Sequence, residues 1–260
     1  MSDVKVQVVM KAIQYMKEHL DEEITSDSLA KYVGYSPYHF SRVFKEVTGV
    51  PPRHYLSALR IESGKQLLVN SSNSILKTLL GVGFRSFGTY SSKFKQFVGL
   101  SPKQFQKNMH SLHQFIHEYN FPNEGFPLED IGPSITCHII APPSFKGIIF
   151  VGLFPKPIPD QAPIVGTALT HNQTRCTFSK VPLGDYYVLA AGIPKSLNPK
   201  NYFILDSALR GKTDSRIEII SANHKDVKIQ LRDPLPYDPP ILVNLPKLLF
   251  DKIRKQEEIS

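Results

Sequence analysis

The sequence has no tryptophan and only two cysteines, Cys137 and Cys176, in 260 residues. Two cysteines cannot build a disulfide framework, and with no CxxC spacing they suit neither zinc nor redox work, so both are expected to be reduced, buried thiols. No apolar run is long enough to span a membrane. The N-terminal stretch MSDVKVQVVMKAIQYMKEHL alternates charged and apolar residues and reads as neither signal peptide nor membrane span, so a cytoplasmic protein without membrane partners is expected. HExxH, GxSxG, P-loop and CxxC patterns are all missing, so no enzymatic activity, catalytic residue, metal or cofactor is expected. Asp185, His138, His171 and His224 are scattered, and their spacing implies no chemistry.

Proline is scarce in the first half. Residues 1 to 119 hold four, Pro37, Pro51, Pro52 and Pro102, and the other seventeen lie beyond 120. Proline suits helix starts and loops but damages helix interiors, so the first part is predicted helical and the second not. Acidic residues are scarce in residues 42 to 107, which carry 11 Lys and Arg against Glu46 and Glu62 alone. That stretch is about +9 where the whole chain is +8, and such a concentration attracts a polyanion through counterion release. The rest is ordinary globular composition, 41% hydrophobic and 21% charged, in a chain long enough for two domains.

The first part reads as seven helices. Val4, Val8, Val9, Ala12, Ile13 and Met16 recur at helical spacing in the first. Thr25 or Ser26 caps a helix over Leu29 to Val33, which Gly34 ends. Ser36-Pro37 opens a helix to Thr48, stopped by Gly49. A longer helix over Arg53 to Val69 follows, then Ile75 to Leu80, Phe87 to Val98, and one from Ser101-Pro102 through Met109 toward Tyr119. In the second part Val227, Ile229 and Leu231 alternate with Lys228, Gln230 and Arg232, as a half-buried strand should. Ile135 to Ile140, Ile148 to Phe154, Arg175 to Ser179, Tyr186 to Ala191 and Arg216 to Ser221 are similar runs, and Leu248, Leu249 and Ile253 mark a short C-terminal helix. Short strands between turn signals predict a sandwich or barrel.

One helical unit occurs twice. Val33-Gly34-Tyr35, Phe40, Phe44-Lys45 and Gly49 return as Val82-Gly83-Phe84, Tyr90, Phe94-Lys95 and Gly99. A short helix, a glycine-containing turn and a second helix, duplicated, is the pattern of a tandem helix-turn-helix. LAKYVGYSPYHFSRVFKEVTG at 29 to 49, ALRIESGKQLL at 58 to 68 and VGFRSFGTYSSKFKQFVGLSPKQF at 82 to 105 resemble the DNA-binding domain of AraC/XylS-type transcription regulators. The resemblance covers roughly the first 110 residues. Together with the strand pattern of the second part it gives an α+β multidomain protein: an all-α double helix-turn-helix domain over 1–110, a linker over 111–130, and a β-sandwich domain over 131–260 that ends in the short helix. Within the second part, Phe178 to Ala190 resembles the corner of transthyretin-like or carboxypeptidase regulatory-like β-sandwiches. There Pro182 and Gly184 make the turn, and Tyr186, Val188 and Ala190 point into the sandwich.

On the helix from Pro37, the stripe Phe40, Val43, Phe44 and Val47 must pack inward, as must Tyr90, Phe94 and Phe97 on the later helix. The resemblance then implies that Tyr38, Ser41 and Arg42 contact base edges, Arg42 with two hydrogen bonds to a guanine. The corresponding positions in the second copy are Gly88, Thr89 and Ser92, all short, where the family commonly carries a longer polar side chain. The first helix is therefore expected to supply most discrimination, while Lys45, Arg85, Lys93 and Lys95 meet phosphates. Arg53, Lys65, Lys77, Arg85 and Lys103 each also read as solvated surface positions. Gly81-Val82-Gly83 is no dinucleotide turn, because Ser86 stands where a third glycine belongs and a helix precedes it. His110, His113 and His117 share one helix face, compatible with metal, yet no carboxylate pair or cysteine motif accompanies them, and an interdomain helix is the expectation.

The expected function is that of a bacterial-type transcription regulator binding double-stranded DNA. By resemblance it is an activator touching RNA polymerase, with a C-terminal sandwich that senses a small-molecule effector or makes protein contacts. The order is reversed relative to the family, whose sensor commonly precedes the DNA-binding part, so no effector chemistry transfers. The alternative is a ligand-binding or enzymatic sandwich tethered to DNA by a nonspecific helical domain.

Overall fold

The computed structural model describes residues 3–70, 75–119, 132–221 and 223–258. The chain forms two compact units, Met1–Asn108 with Leu235–Val243, and Met109–Pro234 with Asn244–Ser260.

The first unit holds α1 (Asp3–Glu18), α2 (Ser26–Tyr32), α3 (Pro37–Thr48), α4 (Pro52–Asn70), α5 (Ile75–Gly81), α6 (Phe87–Val98) and the start of α7 (Pro102–Glu118). α2 begins where Thr25 accepts a bond from the Ser28 N–H at 3.0 Å while the Ser28 hydroxyl accepts from the Thr25 N–H, a reciprocal capping box. Thr25 is therefore the cap, and the helix starts three residues before the predicted Leu29. The turn between α5 and α6 depends on Gly83, whose φ of +77° places it in the left-handed region. A Cβ there would stand 2.1 Å from the Leu20 carbonyl oxygen, so only glycine fits.

The duplication is visible in the packing. Phe40 and Phe44 lie 5.6 Å apart between ring centroids in the first copy, and Tyr90 and Phe94 lie 5.6 Å apart in the second. All four are fully buried. α4 joins the copies by touching both: Tyr55 meets Phe44 edge-on at 5.4 Å, His54 meets Phe97 at 5.3 Å, and Gly64 faces Tyr90. Because neighbours surround it, α4 buries residues all round its circumference, from Pro52, Tyr55 and Leu56 to Gly64, Lys65 and Leu68.

The second unit carries β1 (Ser134–Ile140), β2 (Gly147–Phe154), β3 (Val165–Thr170), β4 (Arg175–Phe178), β5 (Gly184–Pro194), β6 (Leu209–Lys212), β7 (Ile217–Ile219), β8 (His224–Gln230), a 3-10 turn at Pro199–Tyr202 and α8 (Leu245–Glu257). One sheet has the order β4-β1-β8, with β1 and β8 parallel; the other has the order β3-β2-β5-β6, with β7 also paired to β5. Ile135, Cys137, Ile139, Phe178 and Ile229 of the first sheet share one core with Ile149, Val151, Leu153, Val188 and Ala190 of the second. Tyr186, Val188 and Ala190 face that core, as the corner after Gly184 requires. Both cysteines lie buried in it as free thiols. β3 and β6 have no counterpart in the sequence reading, because Val165–Thr170 lacks alternation and Leu209–Lys212 is only four residues long.

α7 runs unbroken to Glu118, in line with the helix read through Met109 toward Tyr119, while 120–131 lie outside the described residues. Leu235–Val243 belongs with the helices although it follows the last strand. Pro236, Pro239 and Pro240 deny it the donors a strand needs.

A Cβ at Gly64 would stand 2.8 Å from the Tyr90 hydroxyl oxygen, which makes no hydrogen bond among the described residues. Gly64→Ala is therefore expected to cost about 1–3 kcal/mol by overpacking, and Tyr90→Phe in the same chain to recover most of it. Urea unfolding of the two single variants and the double variant checks this; strictly additive losses would contradict it.

Candidate nucleic-acid interface

α3 and α6 are built alike. Each has 12 residues and ends at a glycine with left-handed φ, Gly49 at 82° and Gly99 at 84°. With those glycines aligned, Tyr38 falls opposite Gly88, His39 opposite Thr89, Ser41 opposite Ser91, Arg42 opposite Ser92 and Lys45 opposite Lys95. His39 and Ser91 are thus positions the sequence reading did not name; counting back from the two stop glycines finds them.

On α3, Phe40, Val43, Phe44 and Val47 are buried, and the opposite face carries Tyr38, Arg42 and Lys45 in solvent. Tyr38 is 81% exposed, an uncommon cost for an aromatic side chain. Ser41 is half-buried at the shoulder, and His39 is stacked on Tyr35 at 5.0 Å. On α6, Gly88, Thr89, Ser92 and Lys95 are exposed and Ser91 is half-buried. Thr89 has a structural duty too: Ser86 caps the helix by accepting from the Thr89 N–H at 3.2 Å and donates its own proton to the Thr89 hydroxyl at 2.8 Å. Lys93 is half-buried, donates to Gln96 at 3.1 Å and lies over the Phe97 ring.

The basic residues divide by what holds them. Lys65, expected at the surface, is 1% exposed and donates to Glu62 at 3.0 Å and to the Ile241 carbonyl at 3.3 Å. Its position on a helix buried all round overrides the usual exposure of lysine. Arg60 donates to the carbonyls of Leu20 and Glu22, tying the chain after α1 to α4. Arg85 pairs with Glu23 at 2.8 Å, both well exposed. Lys5 pairs with Glu46 at 2.7 Å, and that hydrogen bond, with the charges of Lys5 and Arg42, holds the Glu46 carboxyl below the usual carboxylate range. A groove of about 1040 Å³ runs between the 21–27 segment, the start of α4 and the start of α6, where Arg53, Arg60, Arg85 and Lys93 face Asp21 and Glu23.

Residues 29–108 match the family model described as a helix-turn-helix domain. They form an AraC-type helix-turn-helix domain. The AraC-type domain is similar to an HTH-type transcriptional regulator of Staphylococcus aureus strain MSSA476, 34% identical over 98 residues that cover 38% of this chain and 13% of that protein. It is similar to YobQ of Bacillus subtilis, 28% identical over 38% of this chain and 42% of that protein. The regulator ArgR of Pseudomonas aeruginosa is 31% identical over 36% of this chain and 29% of its own length. This chain thus spans well under half the length of these curated relatives. Among solved structures, an AraC-type regulator from Chromobacterium violaceum is 28% identical, covering 41% of this chain and 96% of that one with a TM-score of 0.39. The DNA-binding domain of AdpA in complex with a target DNA is 26% identical, covering 40% and 93% with a TM-score of 0.38.

Outside the AraC-type domain two histidine groups stand out. His113 and His117 meet edge-on at 4.5 Å, both against Tyr202, and His117 Nε2 lies 3.1 Å from the Ser196 carbonyl. Burial, then the neighbouring His117 and His110, lowers the pKa of His113. The parallel register of β1 and β8 brings together residues the sequence leaves far apart. His138 and His224 each bond one oxygen of Asp226, at 3.0 and 2.9 Å, and Ser134 bonds the other nitrogen of His224 at 2.9 Å. The hydrogen bond from His138, then the charge of His224, holds the Asp226 carboxyl below its ordinary range. His224 and Asp226 are exposed and His138 is half-buried, and among the described residues no group of three such side chains is placed to hold a metal ion.

α3 and α6 differ at their starts, since Ser86 makes a side-chain cap bond and Ser36 makes none. Ser86→Ala is expected to cost about 0.5–2 kcal/mol of stability and Ser36→Ala distinctly less. Thermal unfolding of both variants is the check, and equal losses would speak against it.

Proposed function

We propose that the protein is a sequence-specific DNA-binding transcription regulator whose two helices, α3 and α6, enter successive major grooves of one duplex. The observation that carries this is the pair itself: two helices of equal length in one unit, each stopped by a left-handed glycine and both held by one connecting helix, with their apolar stripes buried and their polar faces open. Successive grooves on one side of B-DNA lie about 34 Å apart, so a single chain suffices and a palindromic site is not required. Tyr38, Ser41 and Arg42 of α3 are assigned to base edges, as are Gly88, Thr89 and Ser92 of α6. Lys45, Arg85, Lys93 and Lys95 are assigned to phosphates. Arg42 has the reach for a bidentate guanine contact, whereas nothing on the α6 face between Gly88 and Ser92 is longer than threonine. α3 therefore supplies most of the discrimination and α6 mainly register.

The family resemblance supports an activator that touches RNA polymerase and acts on DNA in the cytoplasm. The C-terminal sandwich is assigned to ligand sensing or protein contacts. Its core is filled by side chains from both sheets.

Selection of bound sequences from a random duplex library by the full chain is expected to return a motif with sharp positions on the α3 side. Arg42→Ala should lose about 1–3 kcal/mol at one base position and relax it, while Lys95→Ala should weaken all sequences alike and lower the salt slope by about one. If Arg42→Ala weakened every sequence equally and Ser92→Ala relaxed the motif, the division of labour would be reversed. Salt-sensitive binding with no enriched motif would leave a nonspecific tether.

A further inference from the structure

Leu235–Val243 packs with the DNA-binding helices, although more than a hundred residues of other structure separate it from α7. It opens with a self-contained turn in which the Asp238 N–H donates to the Leu235 carbonyl and the Asp238 carboxylate accepts from the Leu235 N–H at 2.7 Å. It closes on Ile241, Leu242 and Val243, all buried. Between these it meets α4 at two points: the Tyr55 hydroxyl donates to the Asp238 carbonyl at 3.0 Å, and Lys65 Nζ donates to the Ile241 carbonyl at 3.3 Å. Ten residues of helix separate those points, roughly 15 Å at 1.5 Å per residue. Each lies where α4 grips one copy of the repeat. Tyr55 is the residue edge-on to Phe44 of α3, and Lys65 adjoins Gly64, which faces Tyr90 of α6.

We infer that residues 235–243 are a strap that braces α4 and so fixes the spacing of the two reading helices. The strap is an internal segment, and the chain continues from it into the second unit at Pro234 on one side and Asn244 on the other. A change in the C-terminal unit that displaces either end therefore acts on α4, giving that unit a covalent route to the DNA-binding helices. The polar pins make the strap specific. A buried lysine must find acceptors, and Lys65 finds only one carboxylate oxygen on its own helix, the second acceptor being the strap carbonyl. Ile241 and Leu242 provide the apolar grip. The consequence for DNA spacing rests on the regulator function proposed above, whereas the bracing of α4 does not.

The test uses the full chain with Ile241→Ala and Leu242→Ala together, and separately with Tyr55→Phe, which removes only a hydroxyl. Amide hydrogen exchange is read by peptide, and binding is measured to a duplex carrying the whole selected motif and to duplexes carrying either half. In the double variant, α4 amides from Ala58 to Leu68 are expected to exchange about tenfold faster while β2 and β5 keep their protection. Affinity for the whole site should fall about tenfold and affinity for each half by less than about twofold, because only the spacing has been loosened. Tyr55→Phe should show the same pattern at smaller amplitude. Unchanged α4 exchange in the double variant overturns the brace. If the double variant loses protection in both units, Tyr55→Phe decides, and no selective α4 loss there overturns it equally. A wild-type chain that selects no motif removes the DNA consequence and leaves the exchange result to judge the strap.

Discussion

The packing of α4 against both copies of the repeat is the constraint on which the first unit depends. A helix-turn-helix unit is too small to bury its own apolar stripe, and two of them need a shared partner. α4 is that partner: it offers Tyr55 to Phe44 on one side and the bare backbone of Gly64 to Tyr90 on the other. The close approach at Gly64 is possible only without a side chain, so one glycine sets how near the second copy stands to the connecting helix. Where that helix lies decides where the faces of α3 and α6 point.

Much of this was legible in the sequence, and for local reasons. Helix starts and stops are written in a few residues, and the Ser36-Pro37 start, the Gly49 and Gly99 stops and the buried Phe40, Phe44, Tyr90 and Phe94 appear where the pattern puts them. Repetition strengthened the signal, since each copy supports the other. The features that escaped are those set by distant partners. Lys65 reads as a surface lysine until the helix around it is seen to be buried on every side, and the packing of Ile241, Leu242 and Val243 with the helices had no local signal to announce it. The group of His138, His224 and Asp226 exists only through the parallel pairing of β1 with β8, which no spacing along the chain announces. β3 and β6 were hidden because short strands with glycine or without alternation carry no period to read.

Charge needed the structure most. Counting gave a strongly basic stretch over 42 to 107, but its members do different work. Lys65 is sealed in with Glu62, Arg60 binds two carbonyls, and Arg85 is matched by Glu23, while Arg42, Lys45 and Lys95 stand in solvent on the reading helices. Exposed pairs such as Arg85 with Glu23 are worth little in water and exchange readily for a phosphate, whereas the buried and carbonyl-bound cations are committed to the fold. The cations open to a polyanion are thus fewer than the composition implies: Arg42, Lys45 and Lys95 lie on the same helices as Tyr38 and Ser92, and Arg53, Lys103 and Lys107 are exposed on α4 and α7.

The central claim is that one chain reads two grooves at a fixed spacing. The most direct measurement is binding of the full chain to its selected site after insertion of about 5 or about 10 base pairs between the two halves, half a turn and a full turn of B-DNA. A rigid pair held by α4 predicts that either insertion reduces affinity to that of a half-site alone, since half a turn moves the second groove to the wrong face and a full turn keeps the face but adds about 34 Å to the distance. Undiminished binding after either insertion would mean that the two helices do not act as one reading unit.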